Sequence, residues 1–268
     1  MRHHPRSRTT VWILTLATAG SAAMLAAGMP TSPGPARALY LTFDADMTPR
    51  MAQRAAADAA SGTAPHADAA PDTPPRADAE PGLRWYDPEL LDYLRQERVK
   101  ATFFVTGLFA EVYPDVVRTL ASDPLFEIGN HSYAHAAFAA PCYGLRLLST
   151  DAEKLADIAR AQEVLTRITG RTPTIFRYPG LCRSAHDDQL VRQSGLEIDR
   201  PTVTSGDAFN PDAEAIVREV RSRVRGGATI LFHVGGPNAP ATPRAVRELV
   251  PALRARGYVF ETEPVRGR

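Results

Sequence analysis

Five short β-prone, apolar runs in this chain each lead to a group that titrates or carries charge. Leu39-Tyr40-Leu41-Thr42-Phe43 runs into Asp44, and Leu125-Phe126-Glu127-Ile128 leads to His131. Thr174-Ile175-Phe176 stops at Arg177, a run over residues 196–203 continues to Asp207, and Ala228-Thr229-Ile230-Leu231-Phe232 stops at His233. Two further strands are predicted over residues 101–105 and 258–260. Helical patterns fill the gaps. Asp87-Pro88-Glu89 opens one with Asp87 as N-cap, and Val116, Val117 and Leu120 face another inward. Thr150 and Glu153 form a capping box for a long helix ending near Gly170, and further helices are predicted over 187–194, 212–225 and 245–256. Strand and helix alternate throughout, which argues for a parallel sheet with helical crossovers. In a parallel (β/α) barrel the C-terminal strand ends converge on one face, where active sites form. An ordinary surface loop accounts for any one of the five groups, but poorly for all five.

His131 and His135 stand four apart. A single helical turn after Asn130 would put both imidazoles on one face, within reach of one ion. Neutral imidazole suits Zn and similar divalent ions, with a coordination position left for water in a hydrolytic site. The alternative is one packed and one solvated histidine. Asp44 and Asp46 at the first strand end are either a loop-starting turn or a catalytic and metal-binding pair.

Residues 1–29 read as a targeting segment. Arg2, Arg6 and Arg8 precede an apolar run over 11–27, and Ala22, Ala23, Ala26 and Ala27 offer small-residue cleavage sites. An uncleaved membrane anchor is the alternative, and either places the domain in the periplasm or outside the cell. Residues 30–37 are a linker. Residues 54–81 are rich in Ala, Asp, Pro and Thr without periodicity, as expected of a disordered insertion in which His66 is solvated. What remains over 38–268 is the length of a single domain, expected as a monomer. A net charge of +1 gives no support for nucleic-acid binding. In an oxidising compartment Cys142 and Cys182 invite a disulfide between two loops of the presumed site, with buried free thiols as the alternative.

Taken in order, Thr42-Phe43-Asp44, His131-Ser132-Tyr133-Ala134-His135, Phe176-Arg177-Tyr178-Pro179-Gly180, Gly206-Asp207 and Leu231-Phe232-His233 resemble the five motifs of the polysaccharide deacetylases, carbohydrate esterase family 4. The similarity runs from Leu39 to about Tyr258, the insertion excluded. It implies a distorted, incomplete (β/α) barrel of the α/β class. The implied activity is metal-dependent removal of N- or O-acetyl groups from a glycan such as chitooligosaccharide, peptidoglycan or acetyl xylan. By this resemblance His131 and His135 hold a divalent metal, Zn first, with Co, Ni or Mn as alternatives. Asp44 is the base, Arg177 orients it, and His233 is the acid, stabilised by Asp207. Tyr178, Gly180, Phe209 and Leu231 are expected at the substrate, with a backbone N–H near Gly180 facing the oxyanion. Asp44–Arg177 as a purely structural ion pair is the alternative.

Two positions depart from the pattern. The family's second aspartate, usually the third metal ligand, is Ala45 here, and Asp46 is the candidate replacement. Ala208 stands where the fourth motif has tryptophan, leaving Phe209 as the candidate pocket wall. Ala45 motivates a second expectation, a non-catalytic glycan-binding or scaffold protein on the same fold.

Overall fold

β1 (Ala38–Ala45) is the strand around which the sheet is built, because three others pair with it. The computed structural model describes Met1 and residues 37–60 and 84–264, so the expected targeting segment, most of the linker and residues 61–81 of the expected insertion lie outside the described residues. The described strands are β2 (Ala101–Val105), β3 (Phe126–Asn130), β4 (Ile175–Phe176), β5 (Glu197–Ile198), β6 (Val203–Thr204), β7 (Thr229–His233) and β8 (Val259–Phe260). Every pairing is parallel, and the order β5-β4-β3-β2-β1-β7-β6, with β8 beside the first residues of β1, makes a curled, open barrel.

The parallel pairing demands crossovers, and helices supply them. They are α1 (Pro49–Ala60), α2 (Pro88–Gln96), α3 (Gly107–Val112), α4 (Pro114–Ser122), α5 (Asp151–Thr169), α6 (Ala185–Gln193), α7 (Ala213–Arg223) and α8 (Thr242–Ala255). Outward-facing β1 residues Leu39, Leu41, Phe43 and Ala45 join the hydrophobic core with Leu90, Leu94, Val217 and Leu249 from the helices. Among the described residues, no helix is long and apolar enough to cross a membrane.

Two expectations are corrected. Residues 54–60, expected to be disordered, complete helix α1. Their alanines favour helix, and the Thr48 hydroxyl accepts from the Met51 N–H to start it. The strand predicted over 196–203 is two strands, β5 and β6, on opposite edges of the sheet. Pro201 between them has no N–H to offer a ladder, so the pairing stops there.

Candidate active site

Alternation along β1 decides which side chains enter the barrel. Thr42 and Asp44 point inward and Asp46 follows just past the strand end, whereas Ala45 packs into the outer core. Asp44 lies opposite His233 of β7 in the strand register. The five groups expected at strand ends do converge.

Arg177, fully buried, organises the groups around Asp44. Its guanidinium donates to Asp44 Oδ1 at 2.6 Å, to Asp199 Oδ2 at 2.6 Å and to Thr42 Oγ1 at 2.7 Å, and lies 4.0 Å over the Phe104 ring. Burial alone would lower the arginine pKa, yet the Asp44 and Asp199 carboxylates raise it. Burial raises the pKa of Asp199 in spite of Arg177. Asp199 and Thr42 were not legible as site residues, since each becomes one only through the arginine that reaches it.

The histidine pair is carried by a loop. The expected helical turn after Asn130 is absent, and Ser132 (φ 66°) and His135 (φ 51°) sit in the left-handed region instead. Asn130 Oδ1 accepts the Ser132 N–H and Asp157 Oδ1 accepts the Tyr133 N–H, each at 2.8 Å, so side chains hold the loop where a helix would have used its own backbone. His131 donates from Nδ1 to the Arg177 carbonyl at 2.8 Å, and that bond leaves the Nε2 lone pair facing Asp46.

Asp46 Oδ1 lies 3.2 Å from Nε2 of both His131 and His135. His131 Nε2 and Asp46 Oδ1 are buried without a hydrogen-bond partner. Buried polar atoms are seldom left so, and a lone pair facing a carboxylate oxygen fits a divalent cation. The three ligand atoms lie within 4.8 Å of one another. Burial raises the Asp46 pKa, but the charge of His135 and the neighbouring imidazoles of His131 and His233 bring it well below the carboxylate range. Burial likewise disfavours a proton on His131, and Asp44 and Asp46 outweigh it. The same negative potential that holds a proton there favours a metal ion in its place.

Asp44, Asp46 and His233 form a second group with ligand-like spacing. Its members are otherwise engaged: Asp44 with Arg177, and His233 Nδ1 with Asp207 Oδ1 at 2.8 Å. Against the effect of burial, Asp207 and the other nearby carboxylates push the His233 pKa up to about 10, so this imidazole holds a proton. Asp207 also accepts from the His233 backbone N–H and from Thr242 Oγ1, and the His233 charge together with these hydrogen bonds lowers its own pKa against burial. His233 Nε2 is aimed at the cavity, 3.5 Å from Asp46 Oδ2.

Asp44, Asp46, His135, Asp207 and His233 line a cavity of about 310 Å³ with Gly180, Leu231 and Phe209. A larger cleft of about 740 Å³, near Tyr40 and Arg200, contains neither His131 nor His135. Gly180 has φ +59°, and a Cβ there would come 2.7 Å from Cys142 Sγ. Cys142 and Cys182 are joined in a disulfide, as the compartment argument expected. Tyr178 departs from expectation. With Arg177 turned into the barrel, its neighbour faces the other way and packs on Phe138 and Phe176, away from the cavity.

The profile of the family described as "Polysaccharide deacetylase" matches residues 77–198. The chain is 29% identical over 180 residues to a peptidoglycan-N-acetylglucosamine deacetylase of Bacillus cereus, covering 67% of this chain and 62% of that protein's length. It is 31% identical over 190 residues to a chitooligosaccharide deacetylase of Azorhizobium caulinodans, covering 66% and 86% of the two chains. Among solved structures it is similar to a family 4 acetyl xylan esterase from Clostridium thermocellum in complex with a cobalt ion. That match has a TM-score of 0.59 at 25% identity and covers 84% of this chain and 88% of the other.

Proposed function

The chain belongs to the polysaccharide deacetylase family, and we propose that within it this protein is an exported, divalent-metal-dependent hydrolase releasing acetate from an N- or O-acetylated polysaccharide. The observation that carries the reading is Asp46 Oδ1, set 3.2 Å from both histidine Nε2 atoms where Ala45 cannot reach. It restores a third ligand and so favours turnover over the reading of a binding-only protein.

An acetamide is a poor electrophile with a poor leaving group, so hydrolysis needs an activated water, a polarised carbonyl and a proton for the departing nitrogen. A divalent ion held by Asp46, His131 and His135 would supply the polarisation and acidify water. Asp44 accepts the water's proton, and Arg177 fixes the rotamer that presents its free oxygen. His233, protonated and opposite, donates from Nε2 to the leaving nitrogen or oxygen. Asp207 holds that ring by Nδ1, which keeps the acidic proton on the cavity side. Gly180 takes a left-handed turn beside the cavity that a side chain, colliding with Cys142 Sγ, could not share.

The reading is tested by acetate release from N-acetylchitooligosaccharides, peptidoglycan fragments and acetylated xylan. Release from at least one substrate should be abolished by chelation, restored by Zn or Co, and reduced by about a thousandfold or more in His131→Ala. Glycan binding without release at any metal loading would establish the binding-only alternative.

A further inference from the structure

Apart from Met1, the described large apolar side chains that stand exposed are Tyr143, Leu147, Leu181 and Phe209, and three of these line the mouth of the catalytic cavity. Tyr143 is 71% and Phe209 72% exposed, yet their rings meet with centroids 5.2 Å apart at a tilt of 37°. They come from separate loops. Phe209 ends a turn closed by its N–H on the Gly206 carbonyl, just past Asp207. Tyr143 sits at the tip of a turn closed by the Leu145 N–H on the Cys142 carbonyl.

The tyrosine is held there at a cost. Its φ is 47° and that of Leu181 is 60°, a conformation that bulky side chains rarely adopt. Both strained residues adjoin a cysteine of the Cys142–Cys182 disulfide, which ties their two loops together beside Gly180. Apart from the histidines, no basic side chain lines the cavity. The rim therefore offers flat apolar faces, with the charged groups Asp44, Asp46, Asp207 and His233 lining the same cavity.

We propose that Tyr143 and Phe209 form a two-ring platform for the C–H face of a neutral pyranose next to the acetylated sugar, and that the disulfide holds Tyr143 in it. This rests on the proposed glycan activity and specifies it: the protein selects β-linked oligosaccharides over single acetylated sugars. An equatorially linked pyranose presents its axial C–H bonds as a flat apolar surface matched to an aromatic ring.

The test is calorimetric titration of the full-length, chelator-treated protein with N-acetylchitotetraose, xylotetraose and N-acetylglucosamine. Wild type should bind at least one tetramer more tightly than the monomer. Tyr143→Ala and Phe209→Ala should each weaken that tetramer by about tenfold, Tyr143→Phe should retain it, and reduction of the disulfide should mimic Tyr143→Ala. With metal restored, the tetramer-to-monomer ratio of kcat/KM should fall in parallel. Unchanged tetramer affinity in Tyr143→Ala, equal losses in Tyr143→Ala and Tyr143→Phe, or no wild-type preference for a tetramer would overturn the platform. Unchanged affinity after reduction would overturn the role of the disulfide. Acetate release that survives a failed platform leaves the proposed activity standing, whereas tetramer binding without release removes the activity alone.

Discussion

In a strand, moving a carboxylate by one position moves it from one face of the sheet to the other. Ala45 packs in the outer core and Asp46 faces the cavity, so the two positions are not interchangeable. Restoring the family's usual aspartate by Ala45→Asp places a carboxylate among Leu and Phe side chains. It should lower stability by about 3 kcal/mol in urea unfolding without tightening metal binding. Asp46→Ala, by contrast, should weaken Zn binding by about tenfold or more in a competition titration and leave unfolding little changed. Tighter metal binding in Ala45→Asp would show that the strand register has been misassigned. The residues that bear on this site differ in how openly the sequence displayed them. His131, His135 and His233 carry their chemistry in their side-chain type and their place after an apolar run. Asp199 and Asp157 look like surface acids until the fold brings Arg177 and the Tyr133 N–H to them.

Helices α5 and α6 are joined at the element scale by Lys154 Nζ and Asp187 Oδ1, 2.6 Å apart, with the aspartate buried. Asp187 also completes the α6 capping box with Ser184. Burial raises its pKa, but Lys154 and Ser184 outweigh that and leave it lowered. A lowered carboxylate pKa gives stability that is fully present above the unfolded value, about 4, and lost as pH falls through the folded one. The stability gap between wild type and Asp187→Asn should therefore be open at pH 6 and narrow below pH 4, as read from urea midpoints. A gap that is constant or widens toward acid would assign the stabilisation elsewhere. Caps of this kind are local, which is why Asp87, Thr150 and Glu153 could be placed from sequence and recur in the structure. The division between β5 and β6 was hidden because an apolar run reads the same whether one strand or two use it. Only the sheet assigns them to opposite edges. The histidine loop is hidden for a related reason: a four-residue spacing suits a helix, and the Asn130 and Asp157 contacts that replace the helix lie outside it in sequence.

For the whole molecule, the proposed metal site couples ligand binding to folding, because Asp46, His131 and His135 are brought together only in the native state. Zn at a hundredfold excess over its Kd should raise the wild-type Tm by about 5–10 °C, and His131→Ala should abolish the shift. An equal shift in the variant would place the ion elsewhere. The strand order carries a consequence for how the molecule comes into being. β1, among the earliest described segments, has β7 and β8 as neighbours, and the Thr42 hydroxyl bonds a carbonyl 188 residues downstream. Asp44, the proposed base, is therefore made long before His233, the proposed acid opposite it. Until the last strands emerge and dock, a growing polypeptide exposes the apolar flank of its first strand and lacks the proposed proton donor, so the proposed hydrolytic site assembles only when synthesis is nearly done.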